Sequence, residues 1–215
     1  MYINPAFRMS TADALTFLRE RGFGILVLPT NSGAPTAVHV PFLASEQTGN
    51  KLRLELHVAR ANPIHFLIGP DGTPALFICQ GPDAYISPDW YGVPNQVPTW
   101  TYVAAHLSGT VRLLPKSDYL AHVDRLSAEF EDRLLPKKPW TSGKMEETRR
   151  QAMLSAIVGL EFVADTVEAM RKLIQHKGET EHRGAIAGLS GQPDEDSHAI
   201  AALMQQTFES KFSKS

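Results

Sequence analysis

Leu52-Arg53-Leu54-Glu55-Leu56-His57-Val58 alternates apolar and polar residues without a break. Successive side chains of a strand point to opposite faces. The run therefore reads as a strand with one face buried and the other, Arg53, Glu55 and His57, turned to solvent or a ligand. Two more β-rich runs precede it, Phe23 to Leu28 and Ala37 to Ala44. Gly/Pro/Asn/Ser clusters separate all three, which predicts an antiparallel meander. Before the meander, Ser10, Asp13 and the spacing of Ala12, Leu15 and Leu18 predict a helix over 10–21, with Gly22 as its C-cap.

After the meander, Asn62-Pro63 starts a short helix, since Asn caps well and Pro suits the first helical position; a strand from Pro74 to Gln80 follows. Asp83 to Pro98 is loop-rich, and Thr99 to Leu114 reads as one long strand with Gly109 marking a bulge. Ser117 opens a helix whose stripe is Leu120, Val123, Leu126 and Phe130. A Pro-rich break at 136–139 and a polar stretch at 141–151 lead into a last strand, Ile157 to Val167. A terminal helix over Ser197 to Phe208 carries Ile200, Leu203 and Met204, a stripe that needs a partner surface. Strands joined by short turns, with helices inserted late rather than alternating, predict a closed antiparallel barrel. No linker divides the chain: residues 1–190 read as one domain, and 191–215 as a helix and tail packed on it or on a dimer partner.

With 43% apolar and 20% charged residues, the 215-residue chain resembles average globular proteins and not disordered ones. A net charge of -2 gives nucleic acid no overall attraction, so DNA binding gains no support from charge. Cys79 is the only cysteine, set in Ala75-Leu76-Phe77-Ile78-Cys79, which predicts a buried thiol. With no basic, apolar leader and no run of about 18 apolar residues, the expectation is a cytoplasmic protein with no membrane span.

Three segments carry more polar and aromatic residues than a core requires. In His57-Val58-Ala59-Arg60-Ala61-Asn62-Pro63, a guanidinium fork beside a helix start suits a phosphate; the plainer reading makes Asn62 a cap and Arg60 a solvated charge. Between Gln80 and Tyr91, and again from Val97 to His106, aromatic rings on proline-stiffened chain form either core or a flat slot for a ring-shaped cofactor. Lys172 to Lys177, with Arg183 to Leu189 after it, is a basic loop that meets a phosphate or faces water. The eight histidines occur singly, without metal-ligand spacing. No Gly-x-Ser-x-Gly elbow, P-loop or Gly-x-Gly-x-x-Gly is present, so no catalytic residue is named.

In this order, Met1-Tyr2-Ile3, His57 to Pro63, Gln80-Gly81-Pro82, Tyr85-Ile86-Ser87-Pro88, Trp90-Tyr91, Val97-Pro98-Thr99-Trp100, Tyr102, Ile157-Val158-Gly159, Lys172-Leu173, Gly184 and Gly188-Leu189 resemble the PaiB family. These are FMN-binding split-barrel proteins described as negative transcriptional regulators. The resemblance implies a mainly β, α+β fold: an antiparallel split β-barrel with peripheral helices, related to pyridoxamine-phosphate oxidase. It also implies a homodimer with FMN at the subunit interface and a flavin able to support redox activity. Arg60 and Asn62 would contact the phosphate. Tyr85, Ser87, Trp90, Tyr91, Thr99, Trp100 and Tyr102 would border the isoalloxazine ring, and Lys172 and Gln175 would complete the anionic pocket. The chain departs from the family pattern at Asp89, Thr101, Ile174 and His176. A regulator would act without any helix-turn-helix or basic recognition helix visible here. The alternative is a haem-binding split barrel of haem utilisation, with His57 or His106 as the axial ligand.

Overall fold

The computed structural model describes residues 1–47 and 51–212. Helix α1 (Thr11–Arg21) leads into β1 (Phe23–Leu28), β2 (Thr36–Gln47) and β3 (Lys51–Ala59). A 3-10 turn at Pro63–Leu67 precedes β4 (Thr73–Ile86), and another at Pro88–Tyr91 precedes β5 (Thr99–Leu113). Helices α2 (Tyr119–Asp132) and α3 (Glu147–Ser155) come before β6 (Ile157–Lys172); α4 (Glu179–Ser190) and α5 (Glu195–Phe212) follow it.

The six strands form a closed barrel in the order β1-β2-β3-β6-β5-β4. Phe23 pairs with Pro41, Phe42 with Leu56, and Leu56 with Leu160 on its other side, all antiparallel. Closure pairs every strand on both edges, so no edge is left to recruit another chain. By contact density the chain forms two compact units. One comprises Met1–Ser10, Gln80–Ala105 and the chain from Glu168 on; the other comprises Thr11–Cys79 and His106–Val167.

In the second unit, Leu52, Leu54 and Leu56 are fully buried with Leu26, Phe42, Phe77 and Phe162, and Phe42 meets Phe77 edge-on at 4.9 Å. Cys79 is buried as expected, its Sγ 3.6 Å from the Phe23 carbonyl oxygen. The polar face of β3 is not open, contrary to the alternation argument. His57 and Glu55 meet His122 and Arg125 of α2. The buried residues of α2 are accordingly Tyr119, His122 and Leu126, while Leu120, Val123 and Phe130 are only partly covered.

In the first unit, α5 buries Ile200, Ala201 and Met204 in a cluster with Leu173, Ile174, Ala185 and Leu189. The stripe expected to need a partner surface finds it within this unit, so it no longer argues for a dimer. Residues 213–215 of the expected tail lie outside the described residues. Helices α3 and α4 replace a polar stretch and a basic loop. No residue of α3 is buried, so no apolar period announced it; Gln151 bonds back to Glu147 at 2.8 Å instead. α4 contains Gly184 and Gly188, helix-weakening residues that let Trp90 lie against it: a Cβ at Gly188 would sit 2.2 Å from the indole Cδ2.

Gly109 has a comparable reason. A Cβ there would lie 2.1 Å from the Val163 carbonyl oxygen of β6. Gly109→Ala must push the backbones apart, and overpacking of this kind costs about 1–3 kcal/mol. Urea unfolding should show a lower midpoint and an unfolding free energy reduced by about that amount; an unchanged midpoint would mean that the two strands do not approach this closely.

Candidate functional site

The expected site residues fall into both units. In the first, Tyr85 ends β4 and Trp100 begins β5, their rings in edge contact at 6.0 Å, with 47% and 55% of each residue exposed. β5 alternates here: Trp100 is exposed and Tyr102 half-buried, while Thr101 and Val103 are buried. Lys172, at the end of β6, donates to Thr99 Oγ1 at 2.9 Å and sits 5.9 Å from the Tyr102 ring centroid. Thr99, Trp100, Tyr102, Tyr85 and Lys172 thus make an aromatic ledge with one ammonium group beside it.

The remaining residues expected in this region serve the interior. Tyr91 is fully buried, with Lys177 4.3 Å from its ring centroid, and Trp90 packs on the α4 glycines. The structure places Tyr91 in the core and packs the partly buried Trp90 against that core. Ser87 caps the 3-10 turn by accepting from the Asp89 N–H at 3.3 Å. Gln175 closes the loop after β6: its Oε1 accepts from the Leu173 N–H at 2.8 Å, and its amide nitrogen donates to the Arg171 carbonyl. Two departures from the family pattern also turn inward. Thr101 is buried and donates to the Ala84 carbonyl at 3.0 Å, and Ile174 is buried in the α5 cluster with φ 54°. His176 lies edge-on to Phe7 at 5.6 Å; partial burial, then Lys177 and Lys172, lowers its pKa.

In the second unit, Asn62 Oδ1 accepts from the Ile64 N–H at 3.0 Å, the capping role. Arg60 Nε and Nη2 donate to the Ser155 and Ile157 carbonyls at 2.5 and 2.7 Å. Arg60 also lines a cavity of about 360 Å³ with Lys116, Tyr119, Gln151, Leu154 and Ser155. Two cations at one cavity suit an anion.

The second unit also contains a network that the sequence left as isolated histidines. His57 Nδ1 is 3.0 Å from His122 Nε2, and His122 Nδ1 is 3.5 Å from Glu55 Oε2. Glu55 is paired with Arg53 and Arg125, and Arg53 with Glu161. Burial raises the pKa of Glu55, but the Arg125 hydrogen bond and the Arg53 charge outweigh it and hold the carboxyl below its usual range. Burial, then the neighbouring His57, pushes His122 down to about 4, and burial also lowers His57. At neutral pH both rings are uncharged. The available sign was the i, i+2 placement of Glu55 and His57 on the polar face of β3. His122 stands 65 positions away and gave none.

Among the described residues no group of three or more His, Cys, Asp or Glu can hold a metal ion, and no helix is long and apolar enough to cross a membrane.

Residues 1–166 match the family model described as "Putative FMN-binding domain". The chain belongs to this family. It is 29% identical over 206 residues to the Bacillus subtilis protease synthase and sporulation protein PAI 2, covering 95% of this chain and 97% of that protein. An uncharacterized Saccharomyces cerevisiae protein is 30% identical over 115 residues, 51% of this chain and 68% of that one. Among solved structures, the FAD and haem binding protein of Mycobacterium smegmatis is similar at TM-score 0.53 and 18% identity, covering 78% of this chain and 73% of that one. A conserved hypothetical protein of Mycobacterium tuberculosis is similar at TM-score 0.56 and 13% identity, covering 80% and 90%. At these identities the structures establish the fold, an antiparallel split barrel, and nothing about ligands. The haem alternative is not favoured, since the family model is of an FMN-binding domain.

The histidine network has a pH consequence. A histidine whose folded pKa lies below the usual 6.5 contributes stability that is complete above that value and is lost as pH falls through the folded value, about 4 for His122. Urea midpoints should therefore fall between pH 6.5 and 4, and His122→Gln should flatten the decline. An equally steep decline in the variant would show that His122 does not set acid sensitivity.

Proposed function

We propose that the chain binds FMN as a homodimer, with the isoalloxazine ring on the ledge formed by Tyr85 and Trp100. The supporting observation is the exposure of these two rings on a face that also carries Lys172. A large aromatic surface left to water, with a fixed ammonium beside it, matches a flat, polar-edged ring, and a second subunit would supply the cover. Bound FMN supplies electron and hydride transfer. The chain's own residues bind and orient: Trp100 and Tyr85 offer apolar area, Tyr102 backs Lys172, and Lys172 gives a positive charge to an anionic or electron-rich edge. None of them is assigned a proton-transfer role.

Membership in the FMN-binding family supports the choice of flavin. In the second unit, taken by itself, Arg60 keeps a cavity beside it although two of its nitrogens hold backbone carbonyls, and with Lys116 it suits an anionic group. Asn62, committed as a cap, supports the loop that presents Arg60. PAI 2 is named for protease synthesis and sporulation; a regulatory role for this chain would work through flavin state, since net charge -2 offers no footprint for DNA.

FMN titration, followed by quenching of flavin fluorescence, tests the assignment. Trp100→Ala and Lys172→Met should each weaken binding roughly tenfold, the equivalent of about 1.4 kcal/mol. Affinities equal to that of the unsubstituted chain would place the flavin elsewhere.

A further inference from the structure

The second unit holds another cavity, of about 230 Å³, between β3, α2, α3 and the segment joining the two helices. Its walls are largely apolar, with Trp140, Met145, Met153, Leu154 and Ile157 among them; the polar side chains that reach it are two hydroxyls, Ser127 and Ser142, and the two stronger groups His57 and Arg150. A cavity of about 150 Å³ accommodates benzene. This one therefore takes a single substituted ring and is too small for a three-ring flavin.

The polar groups specify what the ring must carry. Glu55 is held ionised by Arg53 and Arg125, so the nitrogen of His122 facing it, Nδ1, carries the proton. Neutral His122 then presents an unprotonated Nε2 to His57, and His57 must donate from Nδ1. That leaves Nε2 of His57 as a hydrogen-bond acceptor. A ligand meeting it must bring a donor.

Arg150 makes the opposite demand. Its guanidinium pairs with Glu147 and approaches the Ser142 carbonyl at 3.5 Å, but its buried Nε has no hydrogen-bond partner among the described residues. A buried, unpaired N–H on a cation favours an anionic oxygen. The indole and the two thioethers favour an aromatic body over an aliphatic one.

We propose that this cavity binds a small hydroxylated aromatic acid, its hydroxyl donating to His57 Nε2 and its carboxylate held by Arg150. The site is independent of the flavin ledge.

Calorimetric titration of the full chain with 4-hydroxybenzoate, benzoate and phenol tests this, with Trp140 fluorescence as a second signal. The unsubstituted chain should bind 4-hydroxybenzoate saturably at or below about 1 mM, and on the order of tenfold more tightly than either partial ligand. His57→Phe should remove the preference over benzoate, and Arg150→Met the preference over phenol. Met153→Trp, at a position 56% exposed and so tolerant of bulk, should abolish binding of all three. No saturable binding, equal affinity for the three ligands, or binding that survives Met153→Trp would each overturn the proposal. The last two hold even if the His57 and Arg150 variants fail to fold.

Discussion

Closing a six-stranded sheet on itself leaves one place for its apolar side chains and removes every free edge. Leu52, Leu54 and Leu56 of β3 fill that place with Phe42, Phe77 and Phe162. Each strand then has only its outer face and its ends for chemistry. Both candidate regions follow: the aromatic ledge at the ends of β4, β5 and β6, and the Glu55 network on the outer face of β3. Tight approach of β5 to β6 is part of the same constraint, which is why position 109 tolerates no side chain.

The outer face of β3 shows how a polar strand face becomes interior without losing its charges. Glu55 is buried, a costly place for a carboxylate, and is kept ionised by two arginines and oriented by a neutral histidine. Arg125 and His122 reach Glu55 from α2 while Arg53 reaches it from β3, so the network ties α2 to β3. It also fixes the proton on each imidazole and thereby the hydrogen-bonding character of the cavity that His57 lines.

The strands were legible because a period of two survives whatever packs outside. β1 begins and ends where its sequence run does, β3 extends one residue further at each end, and β5 stops one residue short. What depends on packing between distant segments was not legible. α3 buries nothing and α4 contains two glycines, so neither shows an apolar stripe. The aromatic segment looked uniform, but Tyr91 enters the core and Trp90 packs against it while Tyr85 and Trp100 stay at the surface, a division decided by α4 lying over the 3-10 turn. Ile174 and Thr101 stand out in the sequence as departures from the family pattern; both side chains are turned into the interior. The pairing of His57 with His122 required the fold itself.

Gel filtration of the chain with excess FMN, reading visible absorbance and molar mass by light scattering across the same peak, tests the central claim most directly. The account predicts flavin bands that travel with a species of twice the mass of one 23.7 kDa chain. A colourless protein peak, or a monomer that carries no flavin, would contradict it.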